Sequence, residues 1–223
     1  MKTFTIVSTL LATALSAPAT SSPRTLPNFK TLATCPPNAA QPTGKLPPGS
    51  ISTSLLVPIS AKHPDKAFPA DTWATITPND KCTIFNLQLD SRLTQGKICN
   101  LVFDFPATLA APGLFYTSGP GRFTFTGYAI NAGAVAGETT FNKQPQPGPS
   151  PPNPPATLTP GNSYVVNAAP CGIPPGAGTV TVSGSLCSAD STLVFRQSNV
   201  ACPLGFYVVL TDDPNAGAAD APH

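Results

Sequence analysis

Two strand-like segments that each carry one cysteine constrain the fold of this chain more than any other feature. They are KCTIFNLQLD around Cys82 and GKICNLVFDFP around Cys99. Both are short, rich in β-branched and aromatic residues, and bounded by Gly, Pro or Asp, which is typical of β-strands. The pair predicts a β module whose strands are crosslinked by disulfide bonds.

Similar strand signals recur along the chain at fairly regular spacing, and no capped segment with helical periodicity competes with them. They predict an antiparallel β-sandwich of roughly eight to ten short strands. The predicted strands are 50–59, 72–77, 82–89, 98–105, 122–130, 139–142, 163–167, 179–183, 192–196 and 206–211.

Strict alternation assigns faces within these strands, because successive side chains point to opposite sides of a sheet. Leu101, Phe103 and Phe105 share one side, whereas Val102 and Asp104 take the other, which we predict to face outward. The predicted core therefore includes Phe85, Leu87, Phe103, Phe105, Phe123 and Phe125.

Six cysteines predict three disulfides in an oxidising compartment, and the sequence leaves all 15 pairings open. We favour Cys82 with Cys99, since neighbouring strands can bring two Cβ atoms into bridging range. Cys187 with Cys202, and Cys35 with Cys171, would complete the set. The two histidines, His63 and His223, offer few zinc ligands, so we expect neither a metal nor a cofactor.

The N-terminus has the layout of a cleavable secretory signal over residues 1–19: a basic start, an apolar stretch and a small-residue exit. A membrane anchor is the alternative, but the apolar stretch is shorter than the roughly 20 residues that span a bilayer. We therefore expect a secreted protein, extracellular or in a cell wall.

The remaining organisation is predicted as an extended proline-rich arm (20–49), a sandwich domain (50–211) with a proline-rich loop (144–161), and a flexible tail (212–223).

Charge is sparse in this chain. Charged residues make up 10% and the net charge is +2, which leaves no basic footprint for nucleic acid or an anionic membrane. Apolar residues make up 41%, enough to build a core despite 29 prolines. We expect a monomer without a membrane span.

No catalytic motif is present. His63 is the one histidine of the predicted domain and lies in a loop, AKHPDKAF, where a surface role is the simpler interpretation. A pair of carboxylates such as Asp104 and Glu138 could serve a glycoside hydrolase. We expect instead that Asp104 faces outward and that Glu138 lies at a loop edge.

The aromatic residues Trp73, Tyr116 and Tyr128 are the candidate binding residues, since exposed planar rings stack on sugars or anchor a protein partner. Packing in and around the sandwich core is the alternative.

A series of motifs in order along the chain resembles one known family. They are STSLLVPISAKHPDKAF, CTIFNLQLD, GKICNLVFDFP, GRFTFTG, ETTFNKQP, TPGNSYVVNAAPC, STLVFRQ and PLGFYVVLT. Together they resemble the C-terminal domain of the fungal ubiquitin-3-binding protein But2, over residues 50–211. The resemblance implies a secreted fungal β-sandwich, and the family name implies binding in a ubiquitin-like pathway. The chain departs from the pattern at Asp104, where an apolar residue is expected, and in carrying Cys187 and Cys202.

The sequence therefore predicts a secreted, non-catalytic β-sandwich that acts as a wall-associated or host-facing binding or structural protein. A cell-wall polysaccharide or a protein is the expected partner. The alternatives are a carbohydrate-active enzyme with an Asp/Glu pair and a ubiquitin-like-pathway binding protein.

Overall fold

The computed structural model describes residues 34–149 and 155–216, so the predicted signal at 1–19 lies outside the described residues. Ten strands occur in this part of the chain, together with a short 3₁₀ helix at Thr108–Ala110. No helix of the described residues is long and apolar enough to cross a membrane. The strands are β1 (Ile51–Ser60), β2 (Trp73–Ile76), β3 (Lys81–Asp90), β4 (Lys97–Phe105), β5 (Phe115–Ser118), β6 (Thr124–Gly127), β7 (Asn162–Pro170), β8 (Thr179–Cys187), β9 (Thr192–Arg196) and β10 (Gly205–Asp212).

The strands form two antiparallel sheets. A curled seven-stranded sheet has the order β6-β8-β3-β1-β10-β4-β7, and a three-stranded sheet has the order β2-β9-β5. The predicted all-β, antiparallel, disulfide-crosslinked sandwich is confirmed. Strands that are neighbours in the sheet are mostly distant in sequence, so the fold is held together by non-local pairing.

Phenylalanine rings fill the space between the sheets. Phe206 stacks on Phe85 with ring centroids 4.1 Å apart and contacts Phe103 at 4.6 Å. Phe195 from the small sheet packs edge-on against Phe103 at 5.5 Å, which joins the two layers. Among the predicted core residues, Phe85, Leu87, Phe103, Phe105 and Phe125 are buried, as expected, and Phe123 is half-buried against the same cluster.

The outer face of the large sheet is also covered. Ala40 and Leu46, which precede β1, pack on Val102, Tyr207 and Val209 of β4 and β10. The chain after β6 covers β1 and β3, where Tyr128, Ala134 and Phe141 pack on Val57, Ile59 and Ile84. Alternation predicted correctly which side chains share a face. It did not predict that the second face would be covered by irregular chain.

Two strand predictions differ from the structure. Residues 139–142 form no strand, because Thr139 and Thr140 accept hydrogen bonds from the backbone N–H groups of Val135 and Lys143 and hold a turn instead. Strand β5 was not predicted. It is four residues long and lies between Gly113 and Gly119, too short for alternation to stand out.

The predicted disulfide pairing is wrong at all three bonds, although all six cysteines are paired. The bonds are Cys35–Cys202, Cys82–Cys187 and Cys99–Cys171. Strands β1 and β10 lie between β3 and β4, so three strand spacings, about 14 Å, separate the strands of Cys82 and Cys99. A disulfide requires Cα atoms within about 7 Å. Cys82 instead bonds Cys187 on the adjacent strand β8, with Cα atoms 4.6 Å apart.

Candidate binding face

The three-stranded sheet has one buried and one outward face. Ala74, Ile76, Leu193 and Phe195 point into the core and are at most 1% exposed. The alternate residues point outward and are exposed or half-buried. We call this outward surface the aromatic face and define it by Trp73, Thr75, Tyr116, Val194 and Arg196.

Strand register places Trp73 and Tyr116 on the same surface. Trp73 pairs with Arg196 across β2 and β9, and Thr75, Val194 and Tyr116 form the next outward row. Two strand spacings and two residues separate the two aromatic residues, so their Cα atoms lie about 12 Å apart. Tyr116 is 61% exposed and Trp73 is half-buried. The aromatic face is thus an open sheet surface with two rings and one charged side chain.

Two clefts flank the Arg196 end of this face. The first, of about 410 Å³, is lined by polar groups that include Ser52, Asp71 and Arg196, and we call it the polar cleft. The second, of about 530 Å³, is mainly apolar and is lined by Pro112 and Val200 among others. Val200 is 90% exposed at its rim. Arg196 belongs to both clefts and to the aromatic face.

Tyr128, the third predicted binding residue, is not on this surface. It lies just after β6, is 7% exposed and packs on the outer side of β1 and β3. Its hydroxyl donates a hydrogen bond to Gln144 Oε1 at 2.7 Å, and burial raises the pKa of this phenol. For Tyr128 the core-packing alternative is the correct one.

Asp104 was expected to face outward into solvent, and this prediction is wrong. Its side chain points to the opposite side of the sheet from Phe103 and Phe105, as alternation predicts, but the residue is only 2% exposed. Gln41 Nε2 donates to Asp104 Oδ2 at 3.0 Å, and the Ser163 hydroxyl donates to Oδ1. Burial raises the pKa of the Asp104 carboxyl, although these two hydrogen bonds act in the opposite direction.

Gln41, which bonds Asp104, and Asn38, which bonds Gln41, come from the predicted proline-rich arm. Asn38 donates to Gln41 Oε1 and Ser163 Oγ, both at 2.6 Å, and its own Oδ1 accepts the backbone N–H groups of Ala40 and Gln41. This local turn presents the Gln41 amide to the sheet. The one sequence signal for this network was the charged residue that interrupts an apolar strand.

Glu138 and His63 lie on the surface. Glu138 is exposed in a turn whose neighbour Gly137 donates to the Phe68 carbonyl at 2.8 Å. His63 is exposed in the turn after β1, where its N–H bonds to Ser60. Asp104 is thus enclosed while Glu138 is in solvent.

Within residues 34–149 and 155–216, no three His, Cys, Asp or Glu side chains lie close enough to hold a metal ion.

Sequence reasoning missed Asp71 and Arg196 as site residues. Arg196 ends β9 on the outward side, and Asp71 lies two residues before Trp73 in the turn leading to β2. A charged residue at an outward strand position was visible in the sequence. Its position beside Trp73 became clear only from the pairing of β2 with β9.

The family model of the ubiquitin 3 binding protein But2 C-terminal domain matches residues 54–200. The chain belongs to this family. The But2 match spans most of β1 and all of β2–β9, and therefore includes every residue of the aromatic face. It does not include β10 or the segment that buries Asp104. No curated protein and no solved structure matches the chain significantly.

Proposed function

We propose that this But2-family chain is a secreted, non-catalytic protein that binds a cell-wall polysaccharide on the aromatic face. The observation that carries the proposal is the placement of Trp73 and Tyr116 on one outward sheet surface, on either side of β9. A rigid sheet holds the two rings at a fixed spacing, so little conformational entropy is lost when a flat ligand stacks on them.

The surroundings of the two rings favour a sugar polymer. Sugar rings present C–H groups to an aromatic surface and hydroxyl groups at their edges, and the face supplies a hydroxyl residue, Thr75, in the same row as Tyr116. Arg196 is its one charge, so a polyanion would find no cluster of cations here.

The surroundings of the two candidate catalytic carboxyls support a non-catalytic role. A glycosidase holds two carboxyls about 5 to 10 Å apart on either side of an open cleft. In this chain both oxygens of Asp104 accept hydrogen bonds beneath Gln41, and Glu138 is exposed in a separate turn.

Secretion is supported by the crosslinks and by the sequence of the N-terminus. Three disulfides and no free cysteine among the described residues suit an oxidising compartment. The N-terminal pattern at residues 1–19 suits export. A fungal cell-wall polymer is then a ligand that the mature protein would meet.

Retention on insoluble β-1,3-glucan and on chitin tests the proposal. We expect wild-type protein to bind at least one of the two polymers, and W73A and Y116A each to weaken retention about tenfold, as loss of an interface aromatic does. I130A is the matched control, because Ile130 is similarly exposed (54%) but lies in the turn after β6. Absence of retention on both polymers, or equal loss in I130A, would overturn the proposal.

The family description favours a second candidate, a ubiquitin-type protein partner. An aromatic pair with an adjacent arginine is also a common composition for a protein-binding hot spot. Calorimetric titration with ubiquitin separates the two candidates: binding that W73A abolishes, without retention on either polymer, would favour the protein partner.

A further inference from the structure

The polar cleft is a distinct feature at one end of the aromatic face. Residues 52–56 of β1 form one wall and residues 70–72 the other, and Arg196 and Gln197 complete the lining. The Asp71 N–H donates to the Leu56 carbonyl at 3.0 Å, which joins the two walls.

One hydrogen-bond acceptor is held in place in this cleft. Asp71 is exposed, and its Oδ1 accepts the backbone N–H of Trp73 at 3.0 Å. This bond fixes the carboxylate next to the start of β2. Its Oδ2 takes part in no hydrogen bond or ion pair among the described residues, so it is available to a ligand.

The matching donor is Arg196. Its backbone pairs with Trp73 and with Leu114, and its side chain is exposed. Within the described part of the chain, its guanidinium makes neither an ion pair nor a hydrogen bond. A free guanidinium offers five N–H donors in a fixed planar arrangement.

The Gln197 amide, which also lines the cleft, is already hydrogen-bonded within the protein. The Gln197 amide accepts from the Phe206 N–H at 3.0 Å and donates to the Phe206 carbonyl at 2.6 Å and to Ser52 Oγ at 3.2 Å. Gln197 is thus structural, while Ser52 keeps its own hydroxyl proton free to donate. The Thr53 and Thr72 side chains also line the cleft, but its charged ligating groups are Asp71 and Arg196, with the Ser52 hydroxyl beside them.

We infer that the polar cleft binds the vicinal diol at the non-reducing end of a neutral glycan chain, whose following sugars lie on the aromatic face. This inference rests on the proposed polysaccharide binding. Each hydroxyl of a diol both donates and accepts, which matches an acceptor at Asp71 and a donor at Arg196. Their opposite charges give no net attraction for an anionic ligand.

The chemistry of the two polymers limits a vicinal diol to a chain end. In a β-1,3-linked glucan the interior rings carry their linkage at O3, so only the non-reducing terminal ring has adjacent free hydroxyls. In chitin the interior rings have an acetamido group at C2 and a linkage at O4, so again only the terminal ring has a diol. The test compounds are the methyl β-glycosides of a β-1,3-glucan hexasaccharide and of a chitin hexasaccharide. Each of them therefore contains one ring with a vicinal diol, the non-reducing terminal ring.

Periodate oxidation followed by borohydride reduction opens that ring alone, and this gives a sharp test. We expect the treatment to weaken wild-type binding to the hexasaccharide methyl glycoside at least tenfold in calorimetric titrations. D71N and R196Q should bind the intact compound at least tenfold more weakly than wild type and lose nothing further on oxidation. D71N retains the acceptor for the Trp73 N–H, so the turn is preserved.

R122Q is the matched control for R196Q, because Arg122 is an exposed arginine paired with Asp190 away from the cleft, and it should bind like wild type. Wild-type binding that is insensitive to oxidation, or unchanged affinity in D71N and R196Q, overturns the chain-end site. If W73A and Y116A still lose polymer retention in that case, polysaccharide binding by the aromatic face stands. If wild type binds neither of the two intact compounds, the chain-end site is also overturned.

Discussion

At the scale of single residues, the Asp104 carboxyl of β4 is buried beneath the segment that precedes β1. A carboxyl that is 2% exposed has lost its hydration, and two hydrogen bonds from neutral side chains replace it in part. Burial therefore raises its pKa. The negative charge is also near the Tyr207 hydroxyl, whose pKa is raised by burial and by Asp104. The half-buried Asp90 shows the opposite case: hydrogen bonds from Arg92 lower its pKa to about 2.

The raised pKa of Asp104 predicts a specific pH dependence of stability. The folded protein binds a proton at Asp104 more tightly than the unfolded chain does. Its contribution to the free energy of unfolding is therefore fully present below the unfolded pKa of about 3.9 and declines as pH rises through the folded pKa. D104N should lack this decline.

Urea unfolding of wild type and D104N between pH 3.5 and 8 measures the effect. The other carboxyls are common to both proteins, so they cancel in the difference between the two free energies of unfolding. We expect wild type to lose stability relative to D104N as pH rises. A difference that is constant with pH, or that changes in the opposite sense, would contradict the assignment.

At the scale of elements, the connection from β9 to β10 joins the small sheet to the large one. Gly205 begins β10 with φ of 109°, a conformation that other residues rarely adopt. A Cβ at this position would lie 2.0 Å from Gln197 Oε1. The same Gln197 amide holds both backbone groups of Phe206 in the manner of a neighbouring strand. Gly205 is thus required by the contact that places Phe206 at the centre of the core.

We predict that G205A lowers the free energy of unfolding by about 3 kcal/mol or more, since it combines backbone strain with a steric clash. G176A is the matched control: Gly176 also has positive φ (77°) but open space around it, so backbone strain alone should cost about 1 kcal/mol. Denaturant unfolding measures both. Equal losses of unfolding free energy in the two variants would show that the contact with Gln197 does not contribute to the destabilisation of G205A.

At the scale of the whole molecule, the disulfides connect parts that sequence order keeps apart. Cys35–Cys202 ties the segment that buries Asp104 to the loop before β10, across 167 residues of sequence. Cys99–Cys171 links β4 to the chain just after β7, across 72 residues. Each bond restricts the unfolded chain, and more so for the longer loop.

We predict that peptide mapping without reduction will recover Cys35–Cys202, Cys82–Cys187 and Cys99–Cys171. In the chain-entropy model, C35A/C202A should cost about 5 kcal/mol of unfolding free energy and C99A/C171A about 4 kcal/mol. Denaturant unfolding of the two double variants ranks them. Recovery of a Cys82–Cys99 peptide, or a larger loss in C99A/C171A, would contradict the pairing or the ranking.

Local properties of the chain were readable from the sequence. Alternation and β-branched content depend on neighbouring residues alone, and they located nine of the ten strands of the structure and the inward rows that contain Phe85 and Phe103. Residue type, not alternation, marked Trp73, Tyr116 and Tyr128 as candidate binding residues. Residue type does not say whether a ring is covered, and in the structure Tyr128 is buried under the chain that follows β6.

The sequence by itself determined the class of fold and nine of the ten strands of the structure, because these follow from local pattern, and the order of its motifs indicated the family. Only the tertiary structure decided the strand order, the cysteine partners, the burial of Asp104 and the meeting of Asp71, Trp73 and Arg196. Each of these depends on contacts between residues distant in the chain. Strands β3 and β4 are consecutive in sequence, yet β1 and β10 pair between them, because strand order is set by how the apolar faces of all the strands pack together.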